Sequence, residues 1–377
     1  MSRPARLDRR QLFSLLAVAA VAGCSSGGGD GPQGTDPSDR ATTTSPSPST
    51  DVGATATGPA DPQVAGTVAT GMTTPWGLAF LASGDALVSE RDTGRIVRVT
   101  PEGGKTPVGT VDGVTDDTSE GGLLGIVLSP DQSELYAYYT AADDNRVVRM
   151  SLSGDSLGSP TDVITGIPRN SFHNGGRLRF GPDGQLYVST GDAGAEGDAQ
   201  DRDALAGKIL RLTPGGEPSE GNPFDNEVFS WGHRNVQGLA FDDAGRLWAS
   251  EFGNQRRDEL NLVEAGRNYG WPEVEGRADD DRFVNPKATW ATDDCSPSGI
   301  AIARSTVLVA GLKGRSLYAV PVDGTDAAEP QRLFEGEYGR LRTIEPAPDG
   351  SLWLTTSNTD GRADPGPDDD RILRITV

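Results

Sequence analysis

Six times between residues 76 and 356 the chain repeats one unit: a short apolar strand, a tight turn and a second apolar strand. The fourth copy is Gln237-Gly238-Leu239-Ala240-Phe241 followed by Leu247-Trp248-Ala249-Ser250-Glu251. The first is nearly its duplicate, Trp76-Gly77-Leu78-Ala79-Phe80 followed by Leu87-Val88-Ser89-Glu90. The remaining copies open at Leu124, Gly176, Ser298 and Leu341. Pro182-Asp183-Gly184 and Pro348-Asp349-Gly350 supply turn chemistry, because glycine accepts a positive φ that other residues resist. A third alternating strand follows most copies, as in Arg95-Ile96-Val97-Arg98-Val99 and Arg371-Ile372-Leu373-Arg374-Ile375. Units of three or four strands recurring roughly every 45–60 residues specify an all-β, six-bladed β-propeller. A strand near Val64–Ala69 precedes the first copy and is expected to join the last blade, closing the ring and removing exposed sheet edges.

The rest of the 377 residues lies ahead of the repeats. Arg3, Arg6, Arg9 and Arg10 precede an apolar run from Leu12 to Ala22, too short to span a bilayer comfortably. The run ends in Val21-Ala22-Gly23-Cys24, which resembles a lipobox, so Cys24 is the expected lipidation site; an ordinary cleavage site with an incidental cysteine is the alternative. Arg9-Arg10-Gln11-Leu12-Phe13 loosely resembles a twin-arginine signal, with Asp8 in place of the usual Ser or Thr, and leaves the export route open. Ser25 to Pro62 is mostly Gly, Ser, Thr, Pro and Asp and cannot bury a core. The expected organisation is a lipoprotein signal peptide over 1–23, a disordered linker over 24–62 and the propeller over 63–377. That places the chemistry outside the cytoplasm, lipid-anchored to the outer face of the cell membrane, where nicotinamide cofactors and ATP are not freely available.

A propeller does not state a function, so function must come from the irregular segments at the channel mouth. The net charge of −21 argues against a nucleic-acid partner, and an anionic ligand would need a locally basic pocket. Two cysteines exclude a disulfide framework, and no CxxC pair offers a zinc site. Both histidines, in His173-Asn174-Gly175-Gly176-Arg177 and Gly232-His233-Arg234-Asn235, lie just upstream of an inner strand. Either structural or catalytic roles fit that placement. Arg234 precedes the fourth copy, Lys313 follows the fifth, and Arg340 and Arg342 enter the sixth; the convergence of cations from three copies would make a focused anion site, scattered surface cations being the alternative.

Several motifs occur in order: Glu90-Arg91, Gly121-Gly122-Leu123-Leu124-Gly125, the His173 motif, Gly191-Asp192 and Leu205-Ala206-Gly207-Lys208-Ile209-Leu210-Arg211. There follow the His233 motif through Gln237-Gly238, Asp258-Glu259-Leu260-Asn261, Asn268-Tyr269-Gly270-Trp271-Pro272, Ser298-Gly299, Lys313-Gly314 and Gly339-Arg340-x-Arg342. This set resembles the PQQ-dependent soluble aldose and glucose dehydrogenases, over nearly all of 63–377. The resemblance implies a six-bladed propeller binding pyrroloquinoline quinone and Ca2+, which oxidises an aldose at its anomeric carbon to the lactone and passes electrons to an acceptor the sequence does not name. It places Glu120, Arg234, Asn235, Lys313, Arg340 and Arg342 at the cofactor, where guanidinium forks match carboxylates. It makes His173 the general base, Asp192 the acid that orients it and Arg234 a catalytic neighbour; His233 matches a structural position. A free imidazole titrates near ~6.5, suited to accepting a proton at neutral pH.

Calcium is implied on the backbone of Phe252-Gly253-Asn254, with Gly253 and Asn254 as the candidate ligands, although the loop departs from the common His- or Gln-Gly-Pro form. Glu259 and Tyr269 match a second, structural calcium; alternatively Asp258 and Glu259 simply satisfy loop amides. Asp294-Cys295-Ser296-Pro297 is a further departure, and Cys295 is either buried and inert or near the cofactor. Two competing readings remain: a calcium-dependent lactonase-like hydrolase, which leaves the cations unexplained, and a non-catalytic binding propeller.

Overall fold

The computed structural model describes residues 58–115 and 119–377. The expected signal peptide, Cys24 and most of the linker lie outside the described residues. From Gln63 onward the described residues form six antiparallel sheets, which are the six blades expected from the repeats; the second and fifth carry an extra short strand, and the sixth takes its outer strand from the start of the domain. The first blade is Pro75–Phe80, Ala86–Glu90, Arg95–Val99 and Lys105–Thr110. The second opens with Leu123–Leu128, the third with Leu178–Phe180, the fourth with Val236–Phe241, the fifth with Pro297–Ala303 and the sixth with Leu341–Pro346. These opening strands are the inner ones, and each packs against the opening strands of its two neighbours, so they line a central channel. Gln63–Ala69 pairs antiparallel with Ile372–Thr376, with Gln63 opposite Thr376, and completes the sixth blade.

The repeat is legible in atoms as well as letters. Ser89 Oγ on the second strand of blade one donates to the Leu124 carbonyl of blade two at 2.6 Å. Ser189 does the same to Val236 at 2.8 Å, and Ser250 to Ser298 at 2.6 Å. In blades one and four the hydroxyl crosses over an inner-strand glycine, whereas in blade three Ser189 Oγ faces Arg177, accepting its N–H at 2.9 Å. A Cβ on Gly77 would sit 2.9 Å from Ser89 Oγ, and one on Gly238 would sit 2.4 Å from both Ser250 Oγ and the Ser298 carbonyl oxygen. The glycine of each Gly-Leu-Ala-Phe copy therefore makes room for an interblade hydrogen bond. Between blades the core is aliphatic and aromatic; Trp76, Trp248 and Trp353 are fully buried.

Candidate active site

At one mouth of the channel lies a cavity of about 390 Å³. Arg91, Lys313, Arg340, Arg342 and Arg362 line it, against a single lining carboxylate, Glu120. In a chain of net charge −21 this is a concentration of positive charge on one small volume. Arg340 and Arg342 leave the inner strand of blade six beside Asp360, whose Oδ2 accepts from Arg340 Nη2 at 3.0 Å and lies 3.7 Å from Arg342 Nη2. Burial, with Arg91 nearby, pushes the Arg342 pKa down to about 9. A guanidinium does not give up its proton under such conditions. The shift instead measures how poorly its charge is compensated, and an anion in the cavity would relieve it. Beneath the floor Arg177 is equally short of compensation: burial lowers its pKa to about 9. Its Nε donates to the Gln237 carbonyl at 2.8 Å, while the Gln237 side chain accepts from Arg342 at 2.9 Å. The Arg177 guanidinium stacks 4.2 Å from the Trp76 ring centre.

The His173 loop forms the adjoining wall. His173, Gly175 and Gly176 all adopt positive φ, which folds the segment into a sharp bend before the inner strand of blade three. The His173 carbonyl accepts from Ala193 N–H at 3.2 Å. A Cβ on Gly191 would fall 1.8 Å from that carbonyl oxygen, so Gly191-Asp192 packs against the loop because glycine is there. This brings Asp192 Oδ1 within 2.7 Å of His173 Nδ1. Asp192 is fully buried; its Oδ1 also accepts from Gly194 N–H at 2.9 Å and its Oδ2 from Trp271 Nε1 at 2.8 Å. Burial opposes its ionisation, but the bonds from His173, Gly194 and Trp271 outweigh that and hold the carboxyl below its ordinary value. An ionised carboxylate only accepts, so Nδ1 carries a proton, and the tautomer this bond selects in the neutral ring has its lone pair on Nε2. Glu120 ties this wall to the cavity: Oε2 accepts from the His173 N–H at 3.2 Å and Oε1 from Arg362 at 3.0 Å.

The expected cation set divides. Lys313, Arg340 and Arg342 share the cavity, with half-exposed Lys313 at the rim paired to Asp293. Arg234 is not among the cavity's lining residues: its Nη1 donates to the carbonyls of Gly253 at 2.6 Å and Phe252 at 3.3 Å, and its guanidinium lies 5.2 Å from the Trp271 ring centre. Asn235 is buried, its Oδ1 accepting from Gly175 N–H at 3.0 Å while Nδ2 finds no partner among the described residues. Cys295 is buried and its thiol pKa is raised by that burial. Asp258 accepts from Gly253 and Ser296 N–H groups at 2.9 and 2.7 Å, and Glu259 from Gly276 N–H at 2.7 Å, so both carboxylates do satisfy loop amides. Glu259 nevertheless sits beside Glu251, sharing Asn261 Nδ2 with it at 3.0 and 2.8 Å, and Asn261 Oδ1 is buried without a donor. Burial and Glu251 together raise the Glu259 pKa. Tyr269 stacks on His233 at 4.6 Å and its hydroxyl donates to the Leu262 carbonyl at 2.7 Å.

Sequence reasoning left Arg91, Arg177, Gln237, Trp271, Asp360 and Arg362 out of the site. All but Asp360 and Arg362 stand inside the quoted motifs, which was the available signal. Those two come from the aperiodic stretch between the last two strands of blade six.

A ring of six four- or five-stranded blades with a cationic channel mouth and a histidine–carboxylate pair on its wall is the architecture of a propeller oxidoreductase. The Glucose / Sorbosone dehydrogenase family model matches residues 72–373, and the chain belongs to that family, the quinoprotein sugar dehydrogenases. The PQQ-bound structure of an aldose sugar dehydrogenase from Streptomyces coelicolor is 54% identical, with a TM-score of 0.82 over 85% of this chain and 99% of that one. An oxidoreductase (glucose dehydrogenase) of Thermus thermophilus is 40% identical, with a TM-score of 0.77 over 84% and 99%. The aldose sugar dehydrogenase YliI of Escherichia coli is 30% identical over 328 residues, 76% of this chain and 88% of that protein.

Proposed function

We propose that this protein is a PQQ-dependent dehydrogenase that oxidises an aldose at its anomeric carbon to the lactone. The observation that carries the reading is the cavity: five cations against one carboxylate, with Arg342 among them and Arg177 beneath the floor both underfed with negative charge, and a histidine–aspartate pair on the wall. That donor set fits a flat tricarboxylate, since guanidinium forks bind carboxylates in their own plane. The unpartnered buried nitrogens of Arg234 and Asn235 add donors of the kind such a ligand would use. When bound, the orthoquinone supplies the hydride-accepting chemistry. The chain binds and orients it through Arg340, Arg342 and Lys313. His173 Nε2 takes the hydroxyl proton of the sugar, and Asp192 holds the ring in the required tautomer and steadies the imidazolium that results.

Calcium belongs to the same proposal. Both candidate sites offer oxygen donors, which suits a hard cation with calcium's flexible geometry; at the mouth an ion would share the Gly253 carbonyl with Arg234 Nη1, which donates to it at 2.6 Å. The backbone carbonyls of Gly253 and Asn254 would serve the mouth site. Glu259, with the orphaned Asn261 oxygen beside it and Tyr269 next to it in the fold, would serve the structural one. The chain is further proposed to act outside the cytoplasm, anchored through Cys24.

Reconstitution tests the activity. Apoprotein given PQQ and calcium should reduce a dye when supplied with a panel of aldoses. Absence of turnover with every sugar, at demonstrated cofactor uptake, would sink the reading. Chelation should remove activity and lower the melting temperature, because an ion bound only by the folded state stabilises it by mass action, and calcium should restore both better than magnesium. For the anchor, Cys24→Ser should move the protein out of the membrane fraction or stop its maturation; retention in membranes would overturn the lipobox.

A further inference from the structure

In the mouth loop from Phe252 to Arg257, Gly253 N–H is held by Asp258 at 2.9 Å, and the next four residues are gathered by one atom. Glu275 Oε1 accepts the N–H groups of Asn254, Gln255, Arg256 and Arg257 at 2.7, 3.0, 2.8 and 3.0 Å. Four successive amides aimed at one carboxylate oxygen form an anion-binding concavity, and the charge on the acceptor strengthens each bond. The loop can close this tightly only with glycine at 253. A Cβ there would lie 1.9 Å from the Arg257 carbonyl oxygen and 2.6 Å from Glu275 Oε1. Asn254 supplies one of the four N–H groups, which a proline at this position would lack.

A trans peptide is planar, with its N–H and C=O on opposite edges. Fixing the Asn254 N–H on Glu275 therefore turns the Gly253 carbonyl the other way, and there it meets Arg234 Nη1 at 2.6 Å. Arg234 in turn lies over Trp271, whose indole N–H holds Asp192, the partner of His173. We propose that Glu275 is a positioning residue of the active site: by gathering the four amides it aims the Gly253 carbonyl at the mouth and so fixes the guanidinium of Arg234. Its consequence for cofactor binding rests on the quinone reading of the cavity; its hold on the loop does not.

Arg256 and Arg257 are exposed and adjacent, which provides a readout that needs no cofactor. Full-length apoprotein should be compared as wild type, Glu275→Ala and Glu275→Gln, following tryptic cleavage after Arg256 and Arg257 by mass spectrometry. The alanine variant should be cut about 10-fold faster or more, since local opening controls cleavage of an otherwise ordered loop. Glutamine keeps an acceptor oxygen without the charge and should fall between. PQQ titrated calorimetrically in the presence of calcium should bind the alanine variant about 10–100-fold more weakly, the range found when a residue orienting a ligand group is lost, with partial recovery in the glutamine variant. Equal cleavage of wild type and both variants overturns the proposal. Faster cleavage with unchanged PQQ affinity overturns the link to Arg234. Faster cleavage in a protein whose wild type takes up no PQQ supports the hold on the loop while removing the quinone reading. If the alanine variant does not fold, the glutamine variant decides on the same measurements.

Discussion

The two histidines of the chain make the same first contact and then part company. His173 Nδ1 binds Asp192 at 2.7 Å and His233 Nδ1 binds Glu251 at 3.0 Å. Both precede an inner strand, His173 at the end of an irregular loop and His233 in the short link after the strand Val228–Trp231. At His233 the second nitrogen is also used, bonded to Ser230 Oγ at 2.9 Å, the ring is stacked on Tyr269, and no part of the side chain reaches solvent. At His173 the side chain keeps 15% of its surface exposed and Nε2 makes no bond to any described residue. The carboxylates differ as well. Glu251 divides itself among His233, Asn261 and the Arg234 N–H, which makes it a joint between loops. Asp192 converges three donors to stay charged and face one imidazole. A histidine–carboxylate pair is therefore not a catalytic signature by itself; what separates a base from a rivet is whether the outer nitrogen is left with a lone pair and a way in.

That contrast can be broken most directly by exchanging the losses. His173→Ala should lower kcat by about 10²–10⁴ at saturating PQQ, the usual worth of a positioned general base, while calorimetric PQQ binding and the melting temperature stay near wild type. A near-normal rate would remove the distinction drawn here. His233→Ala should do the converse, costing about 2–4 kcal/mol in urea unfolding, because it opens a cavity and strips buried hydrogen bonds, with a much smaller effect on kcat in the folded fraction. Asp192→Asn should reduce kcat by about 10–100-fold through the imidazole's orientation and tautomer, with a shifted pH profile as its mark.

The acid limb sharpens the comparison further. The folded-state pKa of Asp192 is below its ordinary 3.8, so the stability this group contributes is present above about pH 4 and lost as pH falls below it. Activity that fades between about pH 7 and 5 cannot then come from Asp192. The cavity cations should act on binding and not on the chemical step. Arg340→Ala or Arg342→Ala should each weaken PQQ binding by about 1.5–3 kcal/mol, one charge-assisted contact, measured by calorimetry, and leave kcat at saturation closer to wild type than His173→Ala does.

The ring was legible in the sequence because each blade is written locally. A period-two strand, an Asp-Gly turn and another strand need no knowledge of distant residues, and six copies count the blades. The paired role of Gly238 and Ser250 was present in the letters too, though only coordinates reveal that the glycine accommodates the serine's reach to the next blade. The site was legible where it sits at a fixed offset from a repeat, as with His173, Arg340 and Arg342. It was obscure where loops of no period decide the outcome. Arg234 was placed among the cofactor cations, yet its guanidinium is drawn to the carbonyls of residues 252 and 253 by a loop that Glu275 shapes from 18 residues beyond Arg257. Asp360 and Arg362 belong to another such stretch. No pattern in their own neighbourhood says that they return to the channel mouth.

The pairing of Gln63–Ala69 with Ile372–Thr376 also orders events in time. A ribosome delivers the two partners at opposite ends of synthesis, and closing so long a loop is slow. Arg340 and Arg342 stand on the inner strand of the blade that this late ladder completes. Five blades can assemble as they emerge, but the cationic cavity comes into being only after the last strand has docked. An anion gripped by both arginines would therefore meet them in their final positions only once the ring has closed.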